Sequence, residues 1–218
     1  MIITVDTESI RVQPVAARAD ARLIEEVADT PVALLGDCLQ RMGMLHHSIR
    51  PLTSHATMAG TVYPVLCREG DNLAIHRALD EVQPGDVLVI NALGELNRSV
   101  FGGIIGEACL SLGVTGVVVD GSIRDVEELD RMGLPVYARG VTPSGPYKHG
   151  PGSIGEAVAC GGIVAHAGDA IFGDRDGLIV IRPDELPLLP PRIAAQHETE
   201  KRMRARIASL AAATEARA

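Results

Sequence analysis

The feature that most constrains the fold is an almost uninterrupted β-branched run, residues 114–119, which lies between two segments with helical spacing. Such a composition is typical of a strand that is buried on both faces of a sheet. Residues 104–112 predict a helix that ends at Gly113, and residues 126–132 predict a second helix that ends at Gly133. A helix, a buried strand and a helix in succession predict an α/β layered fold.

An adjacent Arg124-Asp125 pair follows this strand after a loop predicted at residues 121–123. The pair is therefore expected where a helix begins, at the carboxyl end of a buried strand, and ligands of open α/β sheets tend to bind at that edge. With main-chain donors from the turn at residues 102–103, a cation and a carboxylate here suit a small oxyacid, with a metal. A structural alternative stays open, because Ser122 and Asp125 also have the spacing of a capping box.

The rest of the chain alternates between helical and strand patterns. The predicted helices are residues 16–27, 31–42, 73–82 and 194–213, with Thr30 as the N-cap and Gly43 as the stop of the second. The predicted strands are residues 59–66 and 87–90 and a hairpin at 170–181, which turns at Asp174, Asp176 and Gly177. We interpret residues 1–218 as one α/β domain with a core at about 31–184, an N-terminal helical extension and a C-terminal helical tail from about residue 190.

Composition excludes some classes of function. Only 2% of the 218 residues are aromatic, and the formal net charge is −8 without a basic run. These values argue against nucleic acid or an anionic membrane surface as the main partner. The cysteines are widely spaced, and no uncharged apolar stretch is long enough to cross a bilayer, so we expect a protein of the reducing cytoplasm.

Several other residues have ordinary structural interpretations. His76 falls inside a predicted helix, where a histidine is more often a hydrogen-bonded structural residue than a ligand. Cys109 and Cys160 lack the signature of a nucleophile and are expected to be small buried hydrophobes. The acidic hairpin turn lacks a complete EF-hand pattern, so we interpret it as a turn and not as a calcium site.

Four separated segments, in one order, resemble the RraA-like family: GDNLAIHRALDEVQPGDVLVI, FGGIIGEACLSLGVTGVVVDGSIRD, LPVYARGVTPSGP and GDAIFGDRDGLIVI. This family includes 4-hydroxy-4-methyl-2-oxoglutarate aldolases and related oxaloacetate decarboxylases, and the resemblance runs from Asp37 to Ile181. It implies a β/β/α swivelling-domain fold. It also implies a homotrimer or hexamer with sites between adjacent subunits.

The resemblance to the aldolase branch also implies roles for particular residues. Arg124 would contact the substrate and its developing charge, and Asp125 would be the direct protein ligand of a Mg²⁺ or Mn²⁺ ion. Main-chain N–H groups of one turn would hold the carboxylate of a small 2-oxo acid substrate; these residues are Gly102, Gly103, Ile104 and Ile105.

The chain departs from that branch at Gly103, where the family pattern has an Asp twenty-one positions before the Arg. Glu107 lies one helical turn further on and offers a replacement carboxylate, although an ordinary polar helix residue is the simpler explanation. The resemblance to the aldolase branch also implies an acidic residue in the tail that an adjacent subunit donates to hold metal-bound water, and Glu200 matches that position better than Glu198. The alternative for Glu200 is an ordinary charged position on a surface helix.

These residues suit a divalent-metal-dependent lyase that cleaves 4-hydroxy-2-oxo acids to pyruvate and also decarboxylates oxaloacetate, because both reactions pass through the pyruvate enolate. The alternative is a non-catalytic regulatory or protein-binding member of the same fold. The regulatory branch of the family keeps the Arg but lacks the Asp that follows it. The presence of Asp125 therefore favours a metal site.

Overall fold

The computed structural model describes residues 6–215. The strands are β1 Ile10–Val12, β2 Arg50–Pro51, β3 Met58–Cys67, β4 Asp86–Asn91, β5 Ser99–Phe101, β6 Gly116–Ile123, β7 Val136–Val141, β8 Gly152–Ile154, β9 Val158–Cys160, β10 Ile163–Ala165, β11 Ala170–Asp174 and β12 Gly177–Ile181. The helices are α1 Ala21–Val27, α2 Val32–Cys38, α3 Leu73–Ala78, α4 Gly103–Ser111, α5 Val126–Arg131 and α6 Leu189–Glu215, with a 3-10 turn at Leu186–Leu188.

The centre of the main sheet is parallel, with β3, β4, β6 and β7 side by side in that order. The long strand β3 also pairs antiparallel with β11 along its first half and with β8 at its end. β12 pairs with β11, β1 pairs with β8, and β2 closes the far edge against β7. This mixed α/β architecture confirms the predicted fold class. Strand β5 adds a short parallel segment beside the end of β6.

The central strands alternate between two hydrophobic clusters because successive side chains point to opposite faces of a sheet. Leu88 and Ile90 of β4 join the cluster that also holds the inner sides of α3, α4 and α5, while Val87 and Val89 join the cluster on the other face. A third cluster packs α1, α2 and the start of α6 on β11 and β12. Burial on both faces explains the apolar runs that identified the strands.

The strand after α4 is longer than predicted. Residues 121–123 were expected to form a loop, but β6 continues through Ile123 with an irregular register against β7. Strand β5 supplies the reason, because Ser122 and Ile123 are its partners in the register. A distant segment thus overrides the local turn preference of Gly121.

The first two helices are shorter than predicted. Helix α1 starts at Ala21 and not at residue 16, because Asp20 is the N-cap and accepts a hydrogen bond from the Arg22 N–H. Thr30 does not cap α2; instead, the Val32 N–H donates to Asp174 Oδ2 at 2.8 Å, across the fold. The chain leaves α2 before Gly43, since Gln40 and Arg41 already have positive φ angles.

Two further helices also differ in length from the sequence pattern. Helix α3 ends at Ala78, although turns continue the coil towards Val82. Helix α6 begins at Leu189, so that Pro190 and Pro191 lie in its first turn. Proline is tolerated there because the first amides of a helix have no intrahelical acceptor. The hairpin of β11 and β12 is confirmed, with Asp174 opposite Gly177. No helix within residues 6–215 is both long enough and apolar enough to span a membrane.

Candidate active site

Two neighbouring parallel strands bring the predicted site residues together. Strand β5 leads through Gly102 into α4, and β6 leads through Arg124 and Asp125 into α5. Phe101 and Ile123, at the ends of these strands, are partners in the register, and the Arg124 N–H donates to the Phe101 carbonyl at 3.0 Å. The two turns therefore lie side by side at the carboxyl edge of the sheet, as the sequence predicted for Arg124 and Asp125.

Asp125 faces across the site and does not cap its own helix. Its Oδ2 accepts a hydrogen bond from the Gly103 N–H, the first amide of α4, at 3.1 Å. Asp125 has a left-handed backbone, with φ of 57°, and its side chain bonds to no amide of α5. The partner expected for a capping box, Ser122, lies inside β6 and donates its hydroxyl to the Leu96 carbonyl. The capping-box alternative is therefore wrong.

Non-glycine residues adopt positive φ at a cost, so the conformation of Asp125 is informative. It turns the carboxylate away from α5 and towards the amino end of α4, where the partial positive charge of the helix stabilises an anion. Arg124 Nε lies 3.4 Å from the same Oδ2, and about 40% of each side chain is exposed. A cation, a carboxylate and a helix start thus face one accessible space.

The turn before α4 leaves no room for larger side chains. A Cβ atom at Gly102 would lie 2.6 Å from Asp125 Oδ2 and 3.0 Å from Arg124 Cγ. A Cβ atom at Gly103 would overlap the carboxylate of Glu128, which reaches back from the first turns of α5. Neither glycine has a positive φ. Close packing of Arg124, Asp125 and Glu128 therefore explains both glycines.

A cavity of about 140 Å³ opens beside this turn. Arg124, Gly102, Ile104 and Ile105 are among the residues that line it, so three of the four predicted turn residues and the predicted arginine meet in one concave space. Gly103 is buried beside it and binds Asp125 through its amide. The buried side chains of Val100 and Phe101 form an apolar wall.

Two other residues that line the cavity, His76 and Asn72, carry buried polar atoms with no hydrogen-bond partner within residues 6–215. His76 is only 3% exposed, yet neither ring nitrogen makes a hydrogen bond, and Asn72 Oδ1 is also unpaired while its Nδ2 donates to the Val100 carbonyl. The prediction of a hydrogen-bonded structural His76 is therefore wrong. Burial, together with the nearby positive charge of Lys148, lowers the pKa of His76 to about 4. His76 is neutral at pH 7 and can donate from one nitrogen to a ligand.

Lys148 reaches the cavity from the loop at residues 142–151, which is hydrogen-bonded on both sides. Ser99 holds the Ser144 carbonyl through its N–H and its hydroxyl, and Asp71 Oδ2 accepts from the His149 N–H at 2.6 Å. The same loop passes close to the guanidinium of Arg124, since a Cβ atom at Gly145 would lie 3.1 Å from its Nη1. Sequence analysis did not identify Lys148 as a site residue. No local pattern indicates that a loop lysine lies near His76 of α3, 72 residues earlier in the chain.

The two remaining acidic predictions lie elsewhere. Glu107 is exposed, one turn into α4, and is not among the residues that line the cavity. Glu200 is half-buried on α6, a helix that packs on α2, α1 and the 3-10 turn of its own chain. Both roles remain predictions. Cys109 and Cys160 are buried, as predicted, and burial raises the pKa of Cys109 to about 12.

The donor set fits a hydrated hard cation. Within residues 6–215 no group of three or more His, Cys, Asp or Glu side chains is placed to hold a metal ion. Mg²⁺ commonly keeps several waters and is bound in proteins through one or two carboxylates, and Mn²⁺ also prefers oxygen ligands. The exposed carboxylate of Asp125 is suited to that mode of binding.

Comparisons with known proteins agree with this architecture. The chain is 34% identical over 190 residues to a protein of Halalkalibacterium halodurans named "Putative 4-hydroxy-4-methyl-2-oxoglutarate aldolase". The aligned region covers 87% of this chain and 90% of that protein. Streptomyces coelicolor RraAS2, described as an unusual member of the RNase ES inhibitor RraA protein family, superposes with a TM-score of 0.76 at 26% identity over 87% of this chain and 100% of its own.

A second solved structure, the RNA-processing inhibitor RraA from Thermus thermophilis, has a TM-score of 0.66 and 27% identity, and covers 70% of this chain and 93% of its own. The family model described as Aldolase/RraA matches residues 20–180, which include both turns of the site and the loop that carries Lys148. The chain therefore belongs to the RraA-like family.

Proposed function

We propose that this protein is a divalent-metal-dependent lyase that cleaves 4-hydroxy-2-oxo acids to pyruvate, in the manner of 4-hydroxy-4-methyl-2-oxoglutarate aldolase, and that it also decarboxylates oxaloacetate. The observation that carries the proposal is that Arg124 and the amino end of α4 meet at one cavity, while the left-handed Asp125 accepts a hydrogen bond from that helix end beside it. The relative from Halalkalibacterium halodurans supports an aldolase-like activity through its name.

The turn before α4 suits the carboxylate end of such a substrate. The main-chain N–H groups at the start of a helix point outwards and bind anions, and here they border the cavity through Gly102, Ile104 and Ile105. An anchored carboxylate fixes the orientation of the adjacent 2-oxo group, so that the breaking carbon–carbon bond aligns with it. Mg²⁺ or Mn²⁺ held by Asp125 would supply Lewis-acid polarisation of that oxo group.

Arg124 is placed to stabilise the negative charge that develops on the other oxygens of the substrate. Its guanidinium lines the cavity and always carries a positive charge, and a partly enclosed site strengthens that interaction. Lys148 and neutral His76 line the same cavity. We assign them to the distal end of a 4-hydroxy-2-oxo acid. They suit a second carboxylate on the substrate, one by charge and the other by a hydrogen bond.

The test is a pyruvate-release assay on a panel of 4-hydroxy-2-oxo acids and on oxaloacetate, with Mg²⁺, with Mn²⁺ and with a chelator. We expect release from both classes of substrate that depends on the metal. Absence of release from every substrate with either metal would contradict the proposal and favour the regulatory alternative.

A further inference from the structure

The carboxylate of Glu128 occupies the space that a side chain at position 103 would fill. Glu128 lies one turn after Asp125 on α5, and residues three apart share a helix face. A Cβ atom at Gly103 would overlap Oε2 and Cδ of Glu128, and Oε1 would lie 3.0 Å away. The first residue of α4 thus has no side chain of its own but has a carboxylate beside its Cα.

The Glu128 carboxylate has no structural partner within the described residues. No hydrogen bond or ion pair to residues 6–215 engages the Glu128 side chain, which is exposed, although its backbone N–H and carbonyl bond within α5. Asp125 differs, because it accepts from the Gly103 N–H and lies near Arg124. The two acidic side chains therefore share the amino end of α4, but only one of them has protein partners.

A separate observation indicates that the adjoining cavity holds a ligand. His76 and Asn72 are each about 3% exposed, line the cavity, and have unpaired polar atoms. Buried polar atoms without partners are costly, and they are retained where a ligand or ordered water completes them. Glu128 is not itself one of the residues that line the cavity, but its carboxylate lies against Gly103, between Gly102 and Ile104 of the lining. It is therefore placed to reach a bound molecule through one water.

We propose that Glu128 is the carboxylate that carries the proton between the 4-hydroxyl and carbon 3 of the substrate, directly or through one water. The inference rests on the proposed function. Glu128 accepts the hydroxyl proton, the C3–C4 bond breaks, and its electron pair forms the enolate while C4–O becomes a carbonyl. The protonated Glu128 then returns the proton to carbon 3, which gives the methyl group of pyruvate and restores the carboxylate.

The first test follows the second half of this cycle alone, through exchange of the pyruvate methyl protons with D₂O, measured by ¹H NMR. We expect Glu128→Gln to slow exchange and pyruvate release about 100-fold, within the usual range for a positioned acid–base group. Mn²⁺ affinity, measured by electron paramagnetic resonance, should change less than about threefold. Glu127→Gln, which removes the preceding exposed carboxylate of the same helix, is the matched control and should retain the wild-type rates.

The second test moves the carboxylate to position 103. Gly103→Asp alone should lower Tm, because its side chain competes with Glu128 for one volume. Gly103→Asp with Glu128→Ala should recover Tm and at least one tenth of the wild-type exchange rate, whereas Glu128→Ala alone should not recover exchange. This stability comparison needs neither metal nor substrate.

The possible outcomes separate the two proposals. Wild-type exchange in Glu128→Gln, with a large loss in Glu107→Gln, would overturn the assignment to Glu128 and select Glu107 while leaving the lyase proposal intact. Equal loss of Mn²⁺ affinity and exchange in Glu128→Gln would also overturn it, since that result identifies a metal ligand. A wild-type protein without exchange or pyruvate release under any condition would overturn both proposals.

Discussion

At the scale of single residues, the chemistry of the site depends on backbone conformation as much as on side-chain identity. A residue of ordinary right-handed conformation at position 125 would direct its carboxylate differently, and Asp and Asn are the non-glycine residues that adopt the left-handed region most readily. The sequence therefore combines the carboxylate that a cation needs with a residue type that tolerates the turn.

Asp125→Asn tests this arrangement, because it keeps the left-handed preference and an oxygen acceptor but removes the charge. We expect metal-stimulated pyruvate release to fall at least about 100-fold and Mn²⁺ affinity to fall at least about tenfold, since this carboxylate is the principal protein ligand in the proposed metal site. Tm, measured by circular dichroism, should change by only a few degrees. Unchanged metal dependence would remove Asp125 from the metal site.

His76 should make stability depend on pH. Its pKa is lowered to about 4 in the folded protein, against about 6.5 when unfolded, so the unfolded chain binds more protons between these values. Stability is thus fully present above about pH 6.5 and is lost as the pH falls towards 4. The cost is on the order of 2 kcal/mol.

Urea unfolding from pH 7 to pH 4 measures this slope, and His76→Gln should flatten it. Lys148 and Asp71 also act on His76, with opposite signs. Lys148→Met should therefore reduce the slope only in part. An identical slope in wild type and His76→Gln would show that other groups dominate acid unfolding.

At the scale of elements, the sequence predicted which segments form helices and strands better than where they begin and end. Hydrophobic alternation and β-branched runs identified the central strands because burial on both faces imposes that composition. The predicted boundaries were wrong where a distant residue determines them. Asp174 supplies the acceptor for the start of α2, and β5 extends β6.

Arg124 and Asp125 were located correctly because the end of a buried strand is a local signal. Glu128 and Lys148 were missed because their positions depend on packing between elements.

Asp71 connects two elements at the cavity. It is 2% exposed, its Oδ1 accepts from the Leu73 N–H of α3, and its Oδ2 accepts from the His149 N–H of the loop at residues 142–151. Asp71→Asn keeps the shape but leaves one amide facing an N–H donor, which we expect to cost about 1–3 kcal/mol of folding stability. The loosened loop should also raise KM for the oxo acid more than it lowers kcat.

Steady-state kinetics and urea unfolding of the same preparation provide the check. Asp184→Asn, at an exposed position outside the cavity, is the control for the loss of one negative charge. A fall in kcat without a change in KM would contradict a positioning role for the loop.

At the scale of the whole molecule, α6 extends well beyond the part of it that packs against its own protomer. It has 27 residues, which corresponds to about 40 Å, and its packing on the protomer is concentrated at its start, where Leu189 and Ile193 join the third hydrophobic cluster. Met203, Ile207 and Leu210 follow at helical spacing and are each about 60% exposed. An apolar stripe on an otherwise charged helix is typical of a contact with another subunit.

The stripe leads to a prediction about assembly and activity together. Removal of residues 197–218 should leave the protomer folded, because Leu189 and Ile193 remain, but should prevent a homotrimer or hexamer from forming. If a neighbouring subunit donates Glu200 to the site, pyruvate release should be lost with the assembly.

The double variant Met203→Glu with Ile207→Glu should give the same result without shortening the chain. Glu200→Gln should keep the assembly and lose pyruvate release. Sedimentation velocity and pyruvate release on each variant separate these effects, and an active monomeric truncation would contradict a site shared between subunits.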